Sequence, residues 1–165
     1  MNLIIDIGNT TTKLAVFQLD KIIEVQTIST KEVVMEVEKL LEKFSEIKHG
    51  LLSTVKTMDN LEVETLQKLL PIKILEASFK VPFKNCYDTP LTLGVDRLAL
   101  MAAVVKQSPN KNVLVIDAGS CITYDFMDAD QNYLGGAISP GVEMRYKSLE
   151  AFTSNLPSLQ KTIPN

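Results

Sequence analysis

Tryptophan is absent from this chain, and histidine occurs once, at His49. Cysteine occurs twice, at Cys86 and Cys121, and only 6% of the residues are aromatic. Two cysteines make no disulfide framework, and with one distant histidine they match no usual zinc spacing. They read as small buried or loop residues in a reducing compartment, so a cytoplasmic location is expected. His49 reads as structural or exposed. Basic clusters are also missing: the net charge is −3 and the isoelectric point is near 5.2. Nucleic acid is therefore not expected as a partner, and neither is an anionic membrane surface. No apolar run approaches the roughly 20 residues that a membrane span needs. The apolar start at residues 1–5 has no charged segment or cleavage site beside it, so no signal peptide is expected.

What is present is a core. The 165 residues are 45% hydrophobic, enough for one large domain or two small ones. Met1 to Ile5 is an apolar, β-branched run that reads as a buried strand. Asp6-Ile7-Gly8-Asn9-Thr10-Thr11-Thr12-Lys13 follows, and Leu14 to Phe17 resumes the strand. The turn carries a carboxylate, three hydroxyls, a glycine and a lysine. Such a turn suits nucleotide phosphates. Gly8 allows close backbone approach, N–H groups and hydroxyls can bond the oxygens, and Lys13 adds a point charge. Asp6 would repel phosphate directly, so a metal ion or its water should lie between them.

The second half repeats this pattern. Ile116-Asp117-Ala118-Gly119 aligns with Ile5-Asp6-Ile7-Gly8 at an offset of 111 residues (117 − 6), and Thr123 aligns with Thr12. Two strand–Asp-x-Gly–hydroxyl turns suggest two copies of one unit facing each other across a cleft. This layout resembles the actin, Hsp70 and sugar-kinase superfamily. Two further stretches narrow the resemblance: Tyr87-Asp88-Thr89-Pro90-Leu91-Thr92-Leu93-Gly94-Val95-Asp96-Arg97 and Gly135-Gly136-Ala137-Ile138-Ser139-Pro140-Gly141. With the first turn, and in this order, they resemble type III pantothenate kinase, the enzyme that opens coenzyme A synthesis.

The spacing predicts strands over 2–7, 12–18, 22–28, 50–55 and 72–75. It predicts a helix after Thr30 as N-cap, with Val33, Val34, Val37, Leu40, Leu41 and Phe44 on its apolar face. A second helix runs from Leu61 to Leu70, capped by Asn60 and stopped by Pro71. Residues 78–93 read as irregular. A helix over 94–106, strands at 113–117, 121–127 and 133–138, and a helix over 142–152 complete the pattern. The expected fold is α/β, with two ribonuclease-H-like lobes over 1–85 and 86–165. The family's chains continue well beyond residue 165 and supply there an adenine-side wall and a further threonine for pantothenate. The second lobe is therefore expected to be truncated here, and the 165 residues alone to bind ATP poorly.

The resemblance also assigns roles. ATP with Mg²⁺ would be held by Asp6, Ile7, Gly8, Asn9, Thr10, Thr11, Thr12, Lys13 and Ser120. Asp117 would bind the monovalent cation, K⁺ or ammonium. Asp96 would be the base that accepts the proton of the pantothenate hydroxyl. Tyr87, Gly94, Val95 and Arg97 would complete the pantothenate contacts, the Arg97 fork suiting a carboxylate. The segment 135–141 and the helix after it would pack at a homodimer interface. Ser120 and Cys121 stand where the family commonly has Thr and Ala. Alternatives are a sugar or small-alcohol kinase of the same superfamily, or a non-catalytic regulatory relative. The presence of Asp6, Asp96 and Asp117 speaks against the last.

Overall fold

The computed structural model describes residues 1–56 and 59–159. The chain forms two compact units: one of residues 1–79 and 91–96, the other of residues 80–90 and the chain from Arg97 onward.

In the first unit, β1 (Asn2–Ile7), β2 (Thr12–Gln18) and β3 (Lys21–Ile28) form an antiparallel meander. Helix α1 (Val33–Lys43) leads to β4 (His49–Thr54), and α2 (Asn60–Leu69) leads to β5 (Ile72–Ile74). Both later strands join in parallel, giving the order β3-β2-β1-β4-β5. Helical crossovers are what parallel pairing requires. Alternation does the burying. Leu3, Ile5 and Ile7 of β1 form one cluster with Leu14, Val16 and Leu52, covered by Val33, Val37 and Leu40 of α1 and Leu66 of α2. Each such side chain contributes roughly 1.5–3 kcal/mol when removed from water.

Two cap assignments change. Thr30 does not cap α1; it lies in a 3₁₀ turn, Thr30–Glu32, and α1 starts after Glu32 with no side-chain cap. Asp59, not Asn60, caps α2. Its backbone is extended and its carboxylate accepts from the Leu61 N–H at 3.1 Å, whereas Asn60 is already helical.

The second unit contains β6 (Lys84–Asn85), α3 (Val95–Gln107), β7 (Val113–Ala118), β8 (Cys121–Met127), β9 (Asn132–Pro140) and α4 (Val142–Ala151). The first two residues of α3 belong with the first unit. The sheet order is β6-β9-β8-β7, with β6 parallel to β9 and the other pairs antiparallel. Strand β6 and a 3₁₀ turn at Pro90–Thr92 fall in the stretch expected to be irregular. Two residues are too few to show a period in sequence, and they are strand only because the edge of β9 is there to pair with. The β8–β9 register shifts between Phe126 and Met127, so Leu134 has no partner opposite it and Gly135 takes φ +101°. Such a bulge needs a residue without Cβ strain. Among the described residues no helix is long and apolar enough to cross a membrane.

Candidate active site

The first turn sits between β1 and β2. The Gly8 N–H donates to the Thr11 carbonyl at 3.0 Å, and a Cβ on Gly8 would stand 3.2 Å from that oxygen. Asn9, Thr10 and Thr11 lie exposed at the tip, with Lys13 exposed at the start of β2. Asp6 is half-buried and pairs in register with Lys13 on one side and Ser53 on the other. Paired residues project from the same face, so a carboxylate, an ammonium and a hydroxyl share the end of this sheet. The Ser53 hydroxyl is buried without a partner among the described residues. Ile7 is buried in the core, leaving its backbone alone for any ligand. Thr12 also points inward, and its hydroxyl donates to Thr30 Oγ1 at 3.1 Å. Of the three threonines, Thr10 and Thr11 are the ones presented to solvent.

The second turn joins β7 to β8. The Gly119 N–H donates to the Cys121 carbonyl at 2.8 Å, with Asp117 and Ser120 exposed beside it. Asp117 is in register with Thr123, whose hydroxyl is buried and has no partner among the described residues. The turn leans on the start of α4: the Gly141 N–H donates to the Ser120 carbonyl at 3.0 Å. A Cβ on Gly141 would meet the carbonyl oxygens of Gly119 and Ser120 at 2.4 Å, so only glycine fits there. Arg145 fastens the junction by donating from Nε to the Pro140 carbonyl at 2.8 Å.

Among the described residues no group of three or more His, Cys, Asp and Glu side chains converges. Any cation here would meet one carboxylate and neighbouring hydroxyls. That oxygen set suits Mg²⁺, which keeps several waters and takes phosphate oxygens. A hollow of about 550 Å³ on the first unit, bounded by Asn2, Ile4, His49, Leu51, Pro71 and Lys73, contains none of the motif residues.

Gly94, Val95 and Asp96 are half-buried at the start of α3. Arg97 follows and is 4% exposed. Its partner is Asp125 on β8, 0% exposed. Asp125 Oδ1 accepts from Arg97 Nη2 at 2.6 Å and Nε at 2.9 Å, and Oδ2 lies 3.2 Å from Nε. The same Oδ1 accepts from the Tyr133 hydroxyl at 2.6 Å. Burial works against the Arg97 charge, but the hydrogen bonds and charge of Asp125 outweigh it and hold the guanidinium protonated more firmly than usual. Burial first, then the bond to Asp125, push the Tyr133 hydroxyl well above the ordinary phenol range. The Tyr87 ring lies 6.2 Å from that of Tyr133, nearly parallel at 14°, and the Arg97 guanidinium stands 5.6 Å from its centroid.

Asp125 and Tyr133 escaped the sequence reading. One signal was available for Asp125: it alternates with Thr123 and Met127 on a single strand face, and a carboxylate in a core-facing register needs a buried cation. Nothing local announced Tyr133.

A family model described as type III pantothenate kinase matches residues 2–165. The type III pantothenate kinase of Christiangramia forsetii is 51% identical over 157 residues, covering 95% of this chain and 65% of its own. That of Phocaeicola vulgatus is 45% identical over 161 residues, with 96% and 65% covered. The chain thus spans slightly less than two thirds of these relatives. Among solved structures, a Campylobacter jejuni protein described as a Baf family transcriptional activator superposes with a TM-score of 0.57 at 24% identity, over 99% of this chain and 68% of its own. A Ppx/GppA phosphatase of Aquifex aeolicus gives 0.51 at 17% identity, over 96% and 57%. At such identities these two speak for the fold alone. The match over residues 2–165 and the identity to the curated enzymes speak for more, and together they establish that this chain belongs to the type III pantothenate kinase family.

Proposed function

We propose that this protein transfers a phosphoryl group from ATP to the primary hydroxyl of pantothenate, giving 4′-phosphopantothenate at the start of coenzyme A synthesis. The observation that carries this is Asp96 at the opening of α3, half-buried and set between Gly94 and Arg97 in the family's motif. Phosphoryl transfer is mainly positioning and charge stabilisation. Asp96 accepts the hydroxyl proton as the new P–O bond forms. Lys13, Thr10, Thr11 and the backbone N–H groups of the first turn hold phosphate oxygens, and Ser120 holds others from the second turn. Asp6 would hold Mg²⁺, which neutralises charge on the transferring group. Asp117, with the Thr123 hydroxyl, would hold K⁺ or ammonium. Tyr87, Gly94 and Val95 would line the pantothenate site, with Arg97 behind them.

The same reading takes the chain as two ribonuclease-H-like lobes, 1–85 and 86–165, of the actin, Hsp70 and sugar-kinase superfamily, whereas the compact units divide as 1–79 with 91–96 and 80–90 with the chain from Arg97. A homodimer would cover the exposed Ile138, Val142, Met144 and Leu149 along β9 and α4, and a cytoplasmic location belongs to the same reading.

The test uses the full reading frame that contains this sequence. Asp96→Asn should lower pantothenate phosphorylation by about 10²–10⁴-fold while ATP affinity holds. A wild-type rate in that variant would remove Asp96 as base. Turnover of sugars in place of pantothenate would favour the sugar-kinase alternative. Exchanging K⁺ for Na⁺ at fixed ionic strength should slow the reaction; unchanged kinetics would remove the cation from Asp117.

A further inference from the structure

The buried network of the second unit is built around a residue that is only half-buried, Tyr87. Its backbone is held on the N-terminal side. The Tyr87 N–H donates to Asn85 Oδ1 at 3.0 Å, and the Cys86 N–H donates to the Tyr133 carbonyl at 2.9 Å. Its ring is held as well. The Tyr133 ring is stacked beside it, and Arg97 lies near its centroid and hydrogen-bonds its side chain. Gly135, at φ +101°, leaves room for it: a Cβ there would stand 3.3 Å from Tyr87 Cδ2. Behind these contacts Asp125 fixes Arg97 and Tyr133 through one oxygen.

Stability alone does not call for this arrangement. A buried ion pair is often matched or bettered by apolar residues of similar volume. An aromatic ring that merely packs needs no charged support. A rigid ring with a polar tip, partly open to solvent and locked by buried neighbours, is what a recognition surface requires.

We propose that Asp125 and Tyr133 are positioning residues for substrate recognition: through Arg97 and Tyr87 they fix the surface against which pantothenate binds. This rests on the pantothenate reading above. Neither residue touches substrate. Their contribution is to hold one orientation of the guanidinium and the ring, so that binding does not have to order them.

The experiment is steady-state kinetics on the full reading frame, comparing wild type, Asp125→Asn and Tyr133→Phe, with pantothenate and ATP varied separately. The pantothenate KM should rise about tenfold or more in Asp125→Asn and about threefold in Tyr133→Phe, by analogy with loss of supporting contacts elsewhere. The ATP KM should stay within twofold, and circular dichroism should show a folded chain. A folded variant with wild-type pantothenate KM overturns the proposal. So does a parallel rise of both KM values with a falling Tm, which is what a merely structural role gives. If Asp125→Asn does not fold, Tyr133→Phe, which removes one oxygen, decides on the same criteria. Should wild type itself not use pantothenate, the functional reading falls and takes this proposal with it. If wild type does, and the variants are unchanged, the positioning proposal alone falls.

Discussion

The two units answer the same local motif with opposite interiors. Each presents a strand, an Asp-x-Gly turn and a returning strand. In the first, the strands bury an aliphatic cluster under α1 and α2. In the second, β8 buries Asp125 and α3 buries Arg97, and this ion pair fastens helix to sheet. Among the described residues, both buried charged side chains belong to the second unit. Its edge strand β7 exposes Leu114 by 57% and Ile116 by 56%. The equivalent hydroxyls differ too: Thr12 is bonded to Thr30, whereas Thr123 has no partner among the described residues. The first unit is held by apolar area, and the second adds a directional polar contact to a smaller apolar set of Phe83, Leu98, Met101, Val104 and Met127. The second arrangement tolerates less error but fixes side chains near a motif more tightly.

The sharpest way to break this contrast is Asp125→Ala. It strands the Arg97 charge in the interior, and denaturant unfolding should show a loss of about 3–5 kcal/mol. A loss under about 1 kcal/mol would mean that Arg97 finds water, and that the second unit is not held as described. The counterpart in the first unit is Leu40→Ala, with an expected cost of about 2–5 kcal/mol from transfer and cavity terms. Here the cost should scale with the void left and should not depend on salt or pH.

A gentler comparison uses the paired hydroxyls. Thr12→Val removes a bonded donor and strands Thr30, so about 1 kcal/mol should be lost. Thr123→Val removes an unsatisfied buried oxygen, so ligand-free stability should stay level or rise slightly. Equal losses at the two sites would erase the distinction between the turns.

An effect of pH is also expected. The Tyr133 hydroxyl titrates well above its ordinary value in the folded chain. Its contribution is therefore fully present below about pH 10, where an unfolded tyrosine ionises, and is lost as pH rises from there toward the folded value. Thermal melts between pH 8 and about 11 should show this fall, and Tyr133→Phe should flatten it.

Much of the fold could be read in advance because its signals are local. The alternation of Leu3, Ile5 and Ile7, the helical spacing of Val33, Val37 and Leu40, and Pro71 after α2 each declare an element within a few residues. The motif turns were legible for the same reason. What escaped depends on distant partners. Lys84 and Asn85 are strand only because β9 passes beside them. Thr30 looked like a cap, but its hydroxyl serves Thr12, 18 residues earlier. For Arg97 the resemblance implies the carboxylate of pantothenate, and the carboxylate it meets inside the protein is Asp125, 28 residues later. Side-chain partnership across elements leaves no period to read.

The strand order of the first unit also sets how it forms. The β1–β2 and β2–β3 pairs close turns of a few residues, an event of microseconds. Pairing β1 with β4 joins Asn2 to His49, 47 positions apart (49 − 2), and α1 must cross over first. Loop-closure entropy is spent there before any burial repays it. The meander is thus the natural nucleus, and docking of β4 on β1 is the slow, committing event. Substitutions in β1 and β2 should chiefly slow folding, while those in β5, the last strand added, should chiefly speed unfolding.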